Sequence, residues 1–396
     1  MFKGELEVGS QDRHVPTFGS GGLSRRSFMQ FGAAAAGTVL LSGPLALAGC
    51  GSDVGDRVFR GTRSFTDDAG RELSIPTPDQ LERIYFTSAL AQVFCFTLNP
   101  ELQVGVSSSF SEEELELLPE RLRSLPFLGS LSGDGEIDRE ALLAERVQLI
   151  FSISTIELTE ENISEAETLQ EQTKIPVVLI DGSFENLSNA YRELGDIFGT
   201  EERAEQLASY CDTIYTDVSA AAAQVPESER TSLYYAEGPL GLQTEPDISQ
   251  HALVFHVAGA NNVAAVEETQ GLGMTNVSLE QVLAWDPQVI IAWDDKIRGG
   301  ADERIRTNAD WSKIRAVRDG RVYTMPDAPF SWCDRPAGVN RYLGLQWVCN
   351  MLYPDKYDVD MVEEVKKFYS LMYWVDITDD KARELLGNSY PPYGKA

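Results

Sequence analysis

The sequence has little basic charge and few residues of the kind that carry out catalysis. The 396 residues include 33 Lys and Arg against 62 Asp and Glu, so the formal net charge is −29. Proteins that bind nucleic acid place Lys and Arg in patches or stripes, and no such stripe is found here. The composition therefore argues against a phosphate-backbone partner and indicates an acidic, well-solvated surface.

Motifs for catalysis or cofactor binding are also missing. The sequence contains no GxSxG elbow, Walker loop, GxGxxG fingerprint or haem attachment site, so no cofactor is predicted. Of three histidines, His251 and His256 are five residues apart and would point to different faces of a helix, unlike the i, i+4 pair of a zinc protease. Asp294 and Asp295 are adjacent, which favours a turn-capping role over an acid pair.

Cysteine is scarce as well, with five residues and no CxxC or zinc spacing. An oxidising exterior would allow a disulfide, but the spacing does not choose partners. Cys211 and Cys349 fall in helical patterns, which is typical of small core residues. The other two cysteines of the region after the N-terminal segment are Cys95 and Cys333.

The N-terminal segment combines an arginine pair with a short apolar run. Arg25 and Arg26 precede the run from Phe31 to Leu41, which is far shorter than the roughly 20 residues of a spanning helix. Leu-Ala-Gly-Cys50 follows. The segment resembles a twin-arginine export signal joined to a lipobox, and a chance arginine pair before a buried helix is the alternative. The resemblance implies cleavage after residue 49, lipid on Cys50, a tether over 50–57 and anchoring to the outer face of the cytoplasmic membrane.

One pattern occurs twice. Residues 137–151 (IDREALLAERVQLIF) and 277–291 (VSLEQVLAWDPQVII) share five identities at an offset of 140, namely Glu140/Glu280, Leu143/Leu283, Ala144/Ala284, Gln148/Gln288 and Ile150/Ile290. A glycine-containing loop precedes each copy. The offset is too long for a solenoid, whose period is about 20–50 residues. Because one core organises at most about 250–300 residues, the length also predicts two lobes.

Each copy is typical of a helix followed by a strand. Ser278 and Gln281 form a predicted capping box, and Pro287 ends the helix before an apolar strand. In the first half, short apolar runs at 83–87, 104–107, 147–152 and 177–181 alternate with helical stretches, which indicates parallel strands. The sequence therefore predicts an α/β fold of two Rossmann-like lobes with mainly parallel sheets.

A helical tract separates the copies. From 185 to 225 it is interrupted only at Gly199, expected to end one helix, and at Thr200, expected to cap the next. A helix over 200–224 would be about 37 Å long. We expect it to join the lobes, with a long surface helix as the alternative. We expect a first lobe over 58–184, a helical backbone over 185–224 and a second lobe over 225–396.

Several motifs in order carry a family resemblance. They are TDDAGRELSIP after Phe65, the two repeated helices, GANNVA from Gly259, WSKIRAVRDGRVYTMP from Trp311 and the LYP segment at 352–354. Together they resemble the helical-backbone periplasmic binding proteins of ABC importers for ferric siderophores, haem and cobalamin. The resemblance implies a monomer without catalytic activity, which captures a metal chelate between its lobes and delivers it to a permease dimer.

The resemblance also implies functional residues. Glu140 and Glu280 would dock on permease arginines, whereas the alternative for each is a favourable interaction with the helix dipole. The expected ligand-binding residues are Ser88, Phe110, Tyr235, Glu237, Trp293, Trp332 and Arg335. For the aromatic residues the alternative is lobe core, and for Arg335 it is a local contact with Asp334.

Two departures from the family pattern bear on the ligand. Relatives often have arginine where Glu237 stands, and the expected cleft arginines are reduced to Arg335, which favours a neutral or cationic cargo such as a corrinoid. His251 is a candidate metal ligand, with a hydrogen-bonded histidine as the alternative. Two other functions stay open: an exported chelatase-like enzyme, which requires a histidine and a carboxylate converging in the cleft, and a structural surface lipoprotein.

Overall fold

The computed structural model describes residues 61–131, 135–247, 249–267, 273–294 and 299–389. The predicted signal, Cys50 and the tether lie outside these residues, as does Asp295. Within them, no helix combines the length and apolar character that crossing a membrane requires.

The first lobe is built on a three-stranded parallel sheet. A hairpin of β1 (Thr62–Thr66) and β2 (Glu72–Pro76) precedes it. The sheet has the order β3-β4-β5, from β3 (Ile84–Phe86), β4 (Leu149–Ser154) and β5 (Val177–Asp181). Its helices are α1 (Ala89–Leu98), α2 (Glu112–Leu115), α3 (Arg139–Ala144) and α4 (Glu160–Thr173).

Two helices lead out of this lobe, α5 (Leu187–Phe198) and α6 (Glu201–Ala222). Gly199 ends α5 in the left-handed conformation at φ 68°, as predicted. The prediction that the Thr200 hydroxyl caps α6 is wrong, because that oxygen is buried without a hydrogen-bond partner among the described residues. With 22 residues, α6 is about 33 Å long and joins the two lobes.

The second lobe contains a parallel sheet of order β11-β10-β6-β8. Its strands are β6 (Ser232–Ala236), β8 (Asn261–Asn262), β10 (Val289–Ala292) and β11 (Val322–Thr324), and a separate antiparallel pair is formed by β7 (Gln243–Thr244) and β9 (Thr275–Asn276). The helices are α7 (Leu253–Val257), α8 (Leu279–Trp285), α9 (Asp302–Thr307), α10 (Arg315–Arg318), α11 (Asn340–Leu352), α12 (Met361–Tyr373) and α13 (Asp379–Leu386). Every residue of α11 is buried, so this aromatic helix is part of the core.

The two repeated segments occupy equivalent settings in their lobes. Gln148 precedes β4, and its Oε1 accepts from the backbone N–H of Arg83 at 2.8 Å. Gln288 precedes β10, and its Oε1 accepts from the N–H of Ser232 at 2.9 Å. In both lobes the glutamine therefore ties the repeated strand to the residue that leads into its neighbour.

A tyrosine on that neighbouring strand repeats as well. Tyr85 lies opposite Ile150 and donates its hydroxyl to the carbonyl of Gly129 at 2.5 Å. Tyr234 lies opposite Ile290 and donates to the carbonyl of Gly241 at 2.9 Å. The internal repeat is therefore structural, and the α/β two-lobed fold is confirmed.

One predicted strand is wrong. The segment 104–107 makes only single bridges, from Gln103 to Ile84 and from Val106 to Phe127. The pairing partner changes between these two residues, so no ladder is formed. Among the described residues, Cys95, Cys211, Cys333 and Cys349 are buried free thiols.

Candidate functional site

Polar residues follow the carboxyl ends of the first-lobe strands, where ligands of open α/β sheets are found. Ser88 lies two residues after the end of β3, and its hydroxyl accepts from the N–H of Ala91 at 3.1 Å, so it caps α1. The loop at Ser108 is tied to α1, because the Gln92 amide donates to the Ser108 hydroxyl at 2.5 Å. Both serines are half-buried.

The lobes meet at three places near these strand ends. The Thr155 hydroxyl, after β4, donates to Oε1 of Gln250 at 3.1 Å. The Tyr342 hydroxyl donates to the carbonyl of Phe184, after β5, at 2.8 Å. Phe110 lies between the lobes, with its ring centroid 6.0 Å from that of Phe330.

A buried group of charged residues lies behind this contact in the second lobe. The Arg335 guanidinium donates through Nη1 to Oε1 of Glu237 at 2.8 Å and to Asp334, and through Nη2 to Oε1 of Glu245 at 3.4 Å. All three carboxylates are fully buried. Since an unpaired buried charge is costly, each partner keeps the others in place. We call these four residues the Arg335 cluster.

Asp334 connects the cluster to two further residues. It accepts from the Tyr235 hydroxyl at 2.9 Å, and its other oxygen lies 2.5 Å from Nδ1 of His251. Burial, together with the negative charge of Asp334, raises the pKa of the Tyr235 hydroxyl well above its usual range. On the other side, the Trp293 ring centroid lies 5.0 Å from the Arg335 guanidinium carbon, a cation–π contact.

The protonation equilibrium of Glu237 is perturbed within the cluster. Burial raises its pKa to about 8, and the negative charges of Asp334 and Glu245 add to this, whereas Arg335 opposes it. Its Oε2 atom is buried without a hydrogen-bond partner among the described residues. Below about pH 8 the cluster therefore holds a proton on Glu237.

The structure brings together five of the residues predicted from the sequence: Tyr235, Glu237, His251, Trp293 and Arg335. Arg335 is already paired with carboxylates. One of them is Asp334, the local contact that was the alternative to ligand binding. The rings of Tyr235, Trp293 and Trp332 have at most 1% of their surface exposed. That they contact a ligand stays a prediction, which requires the cleft to open.

Sequence reasoning missed Glu245. It follows β7 in the loop that leads to α7, a place where a carboxylate is usually solvated. Its burial depends on Arg335, 90 residues later in the chain. Asp247 lies two residues away in the same segment, QTEPDIS, so no local signal marks Glu245 as the buried acid.

A metal role for His251 gains no geometric support. Among the described residues, no group of three or more His, Cys, Asp or Glu side chains is arranged to hold a metal ion. The histidine does converge on a carboxylate, but that carboxylate is Asp334 and not Glu237. The metal assignment stays a prediction.

The two predicted docking residues have matching positions. Glu140 is the second residue of α3, after the N-cap Asp138, and Glu280 is the second residue of α8, after the N-cap Ser278. Both side chains are exposed. Their role in docking is not tested by this geometry, which also suits an interaction with the helix dipole.

Two large surface grooves lie away from these residues. One of about 1010 Å³ and one of about 780 Å³ share Arg203 and Trp374 and run along α6 and the end of α12. No residue of the Arg335 cluster lines either groove. The chemistry assembled at the strand ends, rather than groove size, defines the candidate site.

Residues 120–329, more than half of the chain, match the periplasmic binding protein family. The chain belongs to this family. An ABC transporter solute-binding protein from Sulfurospirillum deleyianum is 29% identical with a TM-score of 0.73, over 82% of this chain and 98% of that one. The molybdate-binding protein MolA of Haemophilus influenzae is 25% identical over 81% of this chain and 93% of its own.

A structure of MolA bound to molybdate shares the fold with this periplasmic binding protein, at 23% identity and a TM-score of 0.63 over 80% of this chain and 99% of that one. The resemblance noted from the sequence is thus confirmed. The protein is the solute-binding component of an ABC importer, and its family implies export. Its relatives are solute-binding proteins rather than enzymes.

Proposed function

We propose that this protein, anchored by lipid on Cys50 at the outer face of the cytoplasmic membrane, binds a small oxyanion of the molybdate type between its lobes. It then delivers the anion to an ABC permease dimer, on which Glu140 and Glu280 dock. The MolA relative supports the ligand class, since it is a named molybdate-binding protein that shares 25% of aligned residues.

The side chains at the surfaces where the two lobes face each other support this ligand class. Five half-buried side chains at this surface can form hydrogen bonds: Ser88, Ser108, Thr155, Gln250 and His251. The rings of Tyr235, Trp293 and Trp332 are buried, whereas that of Phe110 is half-buried. Hydroxyl and imidazole groups match the oxygens of a compact anion better than the apolar faces of a macrocycle.

A metal chelate, such as a ferric siderophore or a corrinoid, is the second candidate. Phe110 favours it, because this half-buried ring lies between the lobes with Phe96 and Phe330 at centroid distances of 6.0 Å. The pairing of Arg335 with three carboxylates also suits a neutral or cationic cargo better than a strongly anionic one.

Isothermal titration calorimetry, together with tryptophan fluorescence, tests the two candidates. The panel contains sodium molybdate, tungstate, sulfate and phosphate, and ferric siderophores, haem, corrinoids and nickel complexes. Because Trp293 contacts Arg335, a ligand bound beside the cluster is expected to change its emission. Comparison with a Trp293→Phe variant separates the contribution of Trp293 to the emission change from that of the other tryptophans.

The outcomes separate the functions. Binding of molybdate or tungstate, but not of the chelates, supports the proposal. Binding of chelates alone refutes the oxyanion and supports the second candidate. Absence of binding across the panel, with insertion of metal into a porphyrin, would instead support the chelatase-like enzyme considered from the sequence.

A further inference from the structure

We propose that Glu245 is a positioning residue that links Arg335 in the cleft to the docking helix α8. In this assignment, movement of the Arg335 guanidinium changes the conformation of residues 274–280. The proposal takes the docking role of Glu280 from the proposed function and the ligand contact of Arg335 from the sequence prediction. The link itself requires neither ligand nor permease.

One oxygen atom of Glu245 contacts both Arg335 and the segment that leads to α8. Oε1 of Glu245 accepts from Nη2 of Arg335 at 3.4 Å and from the backbone N–H of Met274 at 2.6 Å. The other oxygen accepts from the Ser249 hydroxyl at 2.8 Å. Because both bonds use the same atom, a displacement of Oε1 that follows Arg335 also alters its bond to Met274.

The backbone at Met274 depends on this carboxylate. Met274 has φ 62°, in the left-handed region that a bulky residue rarely adopts, and the preceding Gly273 has φ 71°. A Cβ added to Gly273 would lie 2.0 Å from Oε1 of Glu245, so only glycine allows the chain to approach so closely. Such a conformation persists only where its surroundings hold it in place.

The path from Met274 to α8 is short and hydrogen-bonded. Residues 275–276 form β9, which pairs with β7, and the N–H of Val277 donates to the carbonyl of Leu242 at 2.9 Å. Val277 is buried, and Ser278 caps α8 two residues before Glu280. We therefore expect a displacement of Met274 to move Glu280, which lies six residues later.

In this assignment Arg335 has two arrangements, with and without its contact to Glu245. Its contact with Glu245 at 3.4 Å is longer than its contact with Glu237 at 2.8 Å. An anion that attracts the guanidinium would therefore break the contact with Glu245 first and leave Oε1 to Met274 alone. Coupling between two sites requires such a pair of states, each favoured by a different ligand.

Hydrogen exchange of residues 274–280, followed by mass spectrometry, tests the link without any ligand or permease. The variants are Arg335→Lys, Glu245→Gln and the double variant. Arg335→Lys is expected to change exchange of this segment on the order of 5-fold or more, in line with typical coupling between sites. In the Glu245→Gln background, the same lysine substitution should have no further effect on the segment.

Two controls keep the test specific. Arg341→Lys changes another buried arginine, whose Nη2 donates to the carbonyl of Gln250 at 2.8 Å, and should leave exchange at 274–280 unchanged. Glu237→Gln removes a carboxylate of the same cluster that makes no bond to Met274. An equal effect of Arg335→Lys with and without Glu245, or no effect in either background, overturns the proposal.

If Glu245→Gln does not fold, a substitution in the loop at Gly273 tests the same link. Gly273→Ala pushes the loop away from Glu245, and reciprocity requires that Arg335 and its neighbour Trp293 respond. The readout is the difference in emission between proteins with Trp293 and with Trp293→Phe. An unchanged Trp293 signal in a folded Gly273→Ala protein also overturns the link. Failure to bind molybdate would refute the proposed function and leave these results standing.

Discussion

Replacing Glu237 with glutamine should remove a pH dependence from the stability of this protein. Burial raises the pKa of Glu237 from 4.5 to about 8 in the folded state. Between these values the folded protein keeps the proton while the unfolded chain releases it. Stability therefore falls as pH rises, by about 1.4 kcal/mol per pH unit, and the fall ends once pH exceeds the folded pKa.

The size of the effect follows from the shift. A difference of 3.5 units (8 − 4.5) corresponds to at most about 5 kcal/mol between pH 4 and pH 9. Glutamine keeps an oxygen to accept from Arg335 Nη1 and has no proton to lose. The variant should match the wild type at pH 4 to 5, within about 1 kcal/mol, and exceed its stability increasingly above pH 6.

Urea denaturation at pH 5, 6, 7, 8 and 9 measures this difference. Glu193 contributes a separate slope, because burial raises its pKa also to about 8, so the variant must be compared with the wild type at each pH. Glu167→Gln, on the exposed face of α4, controls for the loss of one carboxylate. A Glu237→Gln protein that is no more stable than the wild type at pH 9 would refute the assignment of a buried, proton-retaining Glu237.

Three further predictions follow from packing, docking and anchoring. Gly344→Ala should cost more than about 3 kcal/mol in urea denaturation, because its Cβ would lie 2.0 Å from the Trp332 carbonyl, whereas Gly338→Ala, with 3.7 Å to its nearest neighbour, should cost under about 1 kcal/mol. The double variant Glu140→Ala and Glu280→Ala should bind ligand normally in calorimetry and abolish uptake by cells; persistent uptake would exclude docking through these residues. Cys50→Ala should move the protein from the membrane fraction to the soluble fraction, and retention in the membrane would exclude the lipid anchor.

The repeat and the fold class could be predicted because local and tertiary signals agreed. Gln148 and Gln288 occupy the same position in the two copies of the repeat. In the structure Gln148 accepts from the N–H of Arg83, just before the neighbouring strand, and Gln288 accepts from the N–H of Ser232, the first residue of its neighbouring strand. Ser278 and Gln281 form the predicted capping box. The capping box depends on residues near one another in the chain, and the two glutamines belong to the repeat, so sequence patterns record both directly.

The buried charges could not be predicted in the same way. Glu245 and Arg335 are 90 residues apart, and Glu237 lies 98 residues from Arg335. Neither residue type signals burial by itself, since acids and arginines are usually exposed. Thr200 shows the opposite failure, because a good capping pattern was present while the local backbone gave its hydroxyl no N–H to accept from. Long-range pairing decided the burial of Glu237 and Glu245, and the local backbone decided the case of Thr200.

Ionic strength separates the two candidate ligands through the charge of the whole chain. With a net charge of −29, the protein repels an approaching molybdate over a Debye length of about 30 Å at 0.01 M salt, and only about 10 Å at 0.1 M. Association of an oxyanion should therefore become faster as salt rises, on the order of several-fold over this range. Association of a cationic chelate should instead become slower as salt rises. Stopped-flow fluorescence of Trp293 gives the rate, and slowing of molybdate association by salt would contradict this electrostatic argument.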